Sequence, residues 1–305
     1  MGEVAWTRPR TKGIALAINY IDLMSRITSS LPPLPIAEMG QPSLTPLDKP
    51  LSECRVMIVS SAGVHLATDA GFKHDNDLTF RRIPQLVPAG QLRVSHPSPV
   101  RRAGEADINV VHPYERLEEL ADEGFIGEVS PYHLAISGGI KKLTELVTEL
   151  APAMAADAKL AEPDLLLVVP LCPACHQSVG LVARVLERAG LSTVSLTCAR
   201  DITARIQPPR SAFLNYPVGN STGQAGDAAG QRDILRAALS IAEDNLEPGT
   251  IVDLPFEWPD SNWEAETTAL YEREASVVLE QRSLNEYEDG ENYAVHECRD
   301  VCSLA

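Results

Sequence analysis

The sequence predicts an α/β fold, a doubly wound and mostly parallel sheet with helices on both faces. Short, fully apolar runs such as Leu165-Leu-Leu-Val-Val169 have the length and composition of strands buried on both faces. From residue 133 onward such runs alternate with stretches of helical length, the pattern of right-handed βαβ units. Hydrophobic residues make up 44% of the 305, enough for a sizeable core.

Residues 1–50 read as an N-terminal arm. A helix is expected over Ile14 to Ile27, on apolar positions Ile14, Ile18, Ile21 and Met24. Pro32, Pro33, Pro35, Pro42, Pro46 and Pro50 then forbid regular structure and leave a linker or surface-hugging arm. Residues 51–256 form the α/β domain, divisible into lobes at 51–130 and 131–256. It opens with a strand over Arg55 to Ser60. A long polar loop from Gly63 to Val100 carries His65, His74, Asp75, Asp77 and His96. Ile108 to Val111 reads as a strand, Glu115 to Glu123 as a helix with Leu117 and Leu120 on one face. Strands are then expected at His133 to Ile136, Asp164 to Val169, Thr193 to Thr197 and Ala212 to Tyr216. Helices are expected at Gly139 to Leu160, Cys175 to Ala189, Asp201 to Ile206 and Ala228 to Asn245. Residues 257–305 are an acidic extension with one helix, Trp263 to Glu280.

The formal net charge of -16 argues against a nucleic-acid surface and against anionic membranes. No stretch approaches the ~20 apolar residues of a membrane helix, and the run Ile14 to Ile18, broken by Asn19 and Asp22, is short for a secretory signal. A cytoplasmic location is the expectation. Six cysteines are too few for a disulfide scaffold. In a reducing compartment, closely spaced cysteines point to catalysis or metal binding.

Cys172 and Cys175 are such a pair, placed where a strand ends and a helix begins, the position at which open α/β sheets gather functional groups. A helix N-terminus offers free N–H groups and positive partial charge, which stabilise a thiolate. Pro173 suits the first helical position. The spacing allows a disulfide, and His176 adds a proton donor or acceptor. The same string also admits c-type haem attachment, a zinc site in which Cys172, Cys175 and His176 await a fourth ligand, or two ordinary buried cysteines.

The string Val168-Val-Pro-Leu-Cys-Pro-Ala-Cys-His-Gln-Ser-Val-Gly-Leu-Val-Ala183 resembles the selenoprotein B component of glycine, sarcosine and betaine reductases, in style near the small subunit of D-proline reductase. Phe80-Arg-Arg-Ile-Pro84, Leu92-Arg-Val-Ser-His-Pro97, Asp107-Ile-Asn-Val-Val-His-Pro113 and Gly226 to Leu239 extend the likeness over roughly residues 54–250. In that family selenocysteine holds the first position of the motif; here it is Cys172, with Cys175 as the partner. The resemblance implies reductive cleavage of a C–N or other C–X bond of a small molecule. Cys172 would attack, Cys175 would resolve the adduct, and an external dithiol or thioredoxin-like protein would restore the pair. It implies no intrinsic cofactor, but a partner subunit carrying a pyruvoyl group, or self-association. A general thiol-disulfide oxidoreductase and a non-catalytic metal or small-molecule module are the alternatives.

His96, inside a family-like segment, is the preferred acid or base beyond the motif. Ser95, His65 and His112 are candidates for holding substrate, since histidine titrates near neutral pH. Gly219-Asn-Ser-Thr-Gly-Gln-Ala-Gly226 is either an anion cradle or a plain loop, and lacks a P-loop ending. Cys198 reads as a small buried residue. His296, Cys298 and Cys302 have the spacing for metal capture, a regulatory disulfide or a thiol relay, or are spare thiols of a tail.

Overall fold

The computed structural model describes residues 18–27, 36–73 and 76–282. The expected helix residues before Ile18, His74 and Asp75, and the tail cluster His296, Cys298 and Cys302 lie outside the described residues.

The strands are β1 (Arg55–Ser60), β2 (Val64–Leu66), β3 (Phe80–Pro84), β4 (Leu92–Val94), β5 (Glu128–Val129), β6 (Tyr132–Ile136), β7 (Leu165–Val169), β8 (Ser192–Thr197), β9 (Arg210–Phe213) and β10 (Thr250–Asp253). The main sheet runs β10-β9-β8-β7-β1-β6-β3, with β5 beside β1. Every pairing in it is parallel except β3 with β6. β7, β8 and β9 are buried at every residue, as the apolar or small-residue composition of β7 and β8 requires in a covered parallel sheet; Arg210 of β9 is buried as an ion pair with Glu187.

The helices are α1 (Tyr20–Ile27), α2 (Arg101–Ala106), α3 (Tyr114–Asp122), α4 (Leu143–Glu145), α5 (Ala151–Ala158), α6 (Pro173–Arg188), α7 (Arg200–Ile206), α8 (Ala228–Ser240) and α9 (Trp263–Arg282). α6 packs against α5 and α7, and α3 packs against α8. A π-helical turn, Leu146–Leu150, joins α4 to α5. No described helix is long and apolar enough to cross a membrane.

Two local expectations are corrected and one strand is added. The loop from Gly63 to Val100 contains β2 and β4, which pair antiparallel as a ribbon, and β3, which extends the main sheet. Ile108–Val110 is a 3-10 turn, not a strand, because Asp107 caps it by accepting from Asn109 N–H. β10 was masked in the sequence by an acidic, proline-flanked context; it adds the outermost strand beside β9.

The proline-rich arm hugs the surface. Ala37 N–H donates to Gln177 Oε1 (2.8 Å) and Met39 N–H to the Arg205 carbonyl (2.8 Å). Thr45 reaches the buried ion pair Glu187–Arg210: its N–H donates to Glu187 and its carbonyl accepts from Arg210. Prolines supply no backbone donors, so Pro46 is held through its carbonyl, which accepts from Ser192 Oγ at 2.8 Å.

The carboxyl ends of β1 and β7 are the positioning feature. From β1 the chain continues to β6 on one side, then crosses to β7 on the other, and β8, β9 and β10 follow outward. The crevice beside β1 and β7 is the topological switch point of the sheet.

Candidate active site

The loop after β7 delivers Cys172 to that crevice. Cys172 is the N-cap of α6, with Pro173 opening the helix, and its sulfur accepts from Cys175 N–H at 3.4 Å. Cys175 lies in the first turn on the same side. The two sulfurs are 3.1 Å apart, about 1 Å longer than a disulfide bond of about 2.05 Å. Both are free thiols, Cys172 6% exposed and Cys175 fully buried.

The third member comes from 76 residues upstream of Cys172. His96 Nε2 lies 3.2 Å from Cys175 Sγ and 3.8 Å from Cys172 Sγ. Its other nitrogen, Nδ1, accepts from Ser98 N–H at 3.0 Å. That bond leaves Nε2 to carry the ring proton and aim it at the Cys175 sulfur. Above Cys175 passes the loop after β6. Gly138 there has φ +66°, and a Cβ would meet Ser61 O at 2.4 Å and Cys175 Sγ at 2.6 Å, so only glycine fits.

The two thiols titrate as one unit. The hydrogen bond that Cys172 donates to Cys175, with burial second, holds the Cys172 proton on well above the ordinary thiol range. Burial pushes Cys175 up as well, but the bond from Cys172 and the contact with His96 outweigh it and keep Cys175 well below that range. The helix N-terminus alone would favour the thiolate at Cys172, the residue at the start of α6. The structure places the anion on Cys175, because His96 and Cys172 both donate to it. Cys175 Sγ also lies 3.4 Å from Ser61 O, an acceptor that suits Cys175 whenever it holds a proton.

His176 stands apart from the sulfurs. Its Nδ1 donates to the Cys172 carbonyl at 2.7 Å and its Nε2 accepts from Cys198 N–H at 3.0 Å. Both ring nitrogens tie backbone together, and burial brings its pKa down to about 4. His65 and Ser95 bond each other at 2.8 Å, and His65 Nδ1 donates to Leu66 O. They are part of the β2–β4 ribbon next to His96. His112 is fully buried, 3.2 Å from Ser60 Oγ, and packs edge-to-face on His133 at 5.2 Å. The structure thus gathers Cys172, Cys175 and His96, and leaves His176, His65, Ser95 and His112 in other contacts.

The 219–226 loop is closed by its own bonds. Ser221 Oγ donates to Pro170 O, Thr222 Oγ to Asn109 O, and Gly226 N–H to the Asp107 carboxylate. A carboxylate of the chain takes the place an anion would need. Sequence reasoning missed Ser98, whose backbone N–H orients His96, and Tyr271 of α9, whose hydroxyl lies 3.4 Å from Ser98 Oγ. Only the short spacing from His96 to Ser98 could have flagged the first.

Among the described residues, His96, Cys172 and Cys175 are the group whose ligand atoms lie within 4.8 Å of one another. A metal on Nε2 would require the ring proton on Nδ1. There it would face the Ser98 N–H, so this ring orientation suits an N–H···S contact better than coordination.

Comparison with known proteins finds reductase subunits. The chain is 29% identical over 217 residues to D-proline reductase subunit gamma of Acetoanaerobium sticklandii, covering 71% of this chain and 90% of the relative. It is 24% identical over 151 residues to glycine reductase complex component B subunit gamma of Carboxydothermus hydrogenoformans, covering 48% of this chain and 34% of that longer relative. The chain is thus similar to reductase gamma subunits. No protein-family model and no solved structure matches it. The chain carries cysteine at position 172 of the motif.

Proposed function

We propose that the chain is the thiol subunit of a reductase that cleaves a C–N or other C–X bond of a small substrate, with Cys172 and Cys175 supplying two electrons. The observation that carries this reading is the 3.1 Å thiol pair with the His96 proton directed at it. Cys172 is the more exposed sulfur and attacks the substrate carbon. As it does so its proton passes along the existing hydrogen bond to Cys175. The C–X bond breaks, X leaves with the electron pair, and Cys175 protonates it. Cys175, again a thiolate steadied by His96, attacks the Cys172 sulfur. The S–C bond breaks, the carbon fragment leaves with its electron pair and takes a proton from water, and a Cys172–Cys175 disulfide remains. The substrate is reduced by two electrons and the thiol pair oxidised by two. An external dithiol or thioredoxin-like protein then reduces the disulfide.

The names of the relatives describe subunits, and a partner subunit is part of this proposal. A pyruvoyl group on that partner would turn a substrate amine into a leaving group. This chain's share is to present the thiol pair, to place a proton on Cys175 beside the leaving group, and to exclude water with the buried walls of the crevice. The test is reduction of D-proline and of glycine by the chain with dithiothreitol, alone and with a pyruvoyl-bearing partner subunit. Turnover that needs both cysteines is expected, with the intact mass falling by two hydrogens when substrate is given without reductant. Turnover that survives Cys172→Ser would refute the reading.

A further inference from the structure

The sulfurs are nearly closed to solvent, so a reactant reaches them only past whatever covers the crevice. α9, in the C-terminal extension outside the family-like segments, reaches Ser98 beside His96 through Tyr271. It docks through Trp263, Thr267 and Tyr271, which are 8%, 7% and 6% exposed. α1 packs against α9, with Tyr20 and Leu23 buried, and is itself pinned by Ile21 N–H to Asp201 Oδ2 (2.7 Å) and by Val218 N–H to the Tyr20 hydroxyl (3.3 Å). Tyr271 is buried close enough to Cys172 and Cys175 for their charges to act on its hydroxyl. Its hydroxyl is 3.4 Å from Ser98 Oγ, and Ser98 is the residue whose N–H fixes His96.

We propose that Tyr271 is a positioning residue of the thiol site, its ring closing the crevice over Cys172 and its hydroxyl holding Ser98, and through it His96, in place. Burial first, and then the nearby Cys172 and Cys175 charges, push the Tyr271 hydroxyl well above its ordinary range, so it stays protonated and neutral beside the thiolate. A charged phenolate there would oppose the anion on Cys175; a neutral hydroxyl does not. The proposal rests on the thiol pair being the functional site, but its test needs no substrate, so it stands or falls apart from the reductase reading.

The experiment is iodoacetamide alkylation of the full-length reduced protein, followed cysteine by cysteine by peptide mass mapping across pH. Cys54 and Cys198 serve as internal references, since burial pushes their thiols up to about 11 and about 12. Tyr271→Ala should accelerate alkylation at Cys172 about tenfold or more and leave Cys54 and Cys198 within about twofold. Tyr271→Phe keeps the ring, so access should stay near wild type. Its lost hydroxyl bond loosens Ser98, and through it His96, and should move the pH profile of the thiol pair upward. An unchanged Cys172 rate in Tyr271→Ala, or equal acceleration at Cys172, Cys54 and Cys198, would overturn the proposal. Should Tyr271→Ala not fold, Tyr271→Phe decides alone: a shifted profile upholds the proposal and an unmoved one overturns it.

Discussion

At the scale of single residues, the site depends on where one proton sits. The pair Cys172–Cys175 holds it between two sulfurs 3.1 Å apart, and His96 decides the side. Replacing His96 with Ala removes a donor to a buried anion, worth about 1.5–3 kcal/mol. The pH at which the pair begins to alkylate should rise by about one to two units, measured by the thiolate absorbance near 240 nm; an unmoved titration would show that His96 does not hold the charge. Cys175→Ser should leave an adduct on Cys172 that intact-mass measurement detects, formed more slowly than in wild type because the internal proton acceptor is gone. Cys172→Ser should form none. The sequence made the pair legible, because CxxC after an apolar strand is a local pattern. It also offered His96, but could not say that His96 rather than His176 faces the sulfurs. His176 is adjacent to Cys175 in the chain, yet at its place in α6 the ring points to the Cys172 carbonyl and Cys198 N–H. His96 arrives through the β2–β4 ribbon, and contacts between residues 79 apart leave no periodic trace in one sequence.

At the scale of elements, strands buried on both faces were readable and edge elements were not. β1, β7 and β8 are uniform apolar or small-residue runs, so their bounds follow from composition. β2, β4 and β5 are two or three residues long and are formed by pairing alone. The arm is a further case. Its prolines exclude helix and sheet, but its path is set by Glu187 and Arg210, both almost wholly buried on α6 and β9. Burial raises the Glu187 carboxyl, and the Arg210 charge opposes that rise. Arg210→Ala leaves Glu187 buried without its cation and frees the Thr45 carbonyl. Breaking a buried pair from one side costs about 3–5 kcal/mol. A loss of that size in denaturant unfolding is expected, with early proteolytic cleavage within residues 36–50. Cleavage no faster than in wild type would mean that the arm is held elsewhere.

At the scale of the whole molecule, three histidines have been taken out of water in the neutral form. Burial lowers His112 to about 3 and His176 to about 4, and burial with the neighbouring His112 lowers His133 well below its ordinary value. His133 Nδ1 accepts from Ile58 N–H at 3.1 Å, which stitches β6 to β1 through a side chain, and the Nε2 atoms of His112 and His133 have no partner among the described residues. The sign follows from proton counting. In the unfolded chain each ring binds a proton below about 6.5. In the folded chain none does until the pH approaches the lowered values. The unfolded state therefore binds more protons over that interval, and stability must fall as pH falls from about 6.5. Each ring contributes at most about 1.4 kcal/mol per pH unit. Glu187 and Asp201, whose carboxyls burial raises, act in the opposite sense where they titrate. A comparison of variants cancels that contribution. His112→Asn should flatten the stability curve between pH 6.5 and 5 by close to one proton's worth of slope, read from urea midpoints and their slopes at several pH values. A slope equal to that of wild type would show that His112 is already charged in the folded protein, and that the hydrogen bond to Ser60 Oγ, not neutrality, sets its place beneath β1.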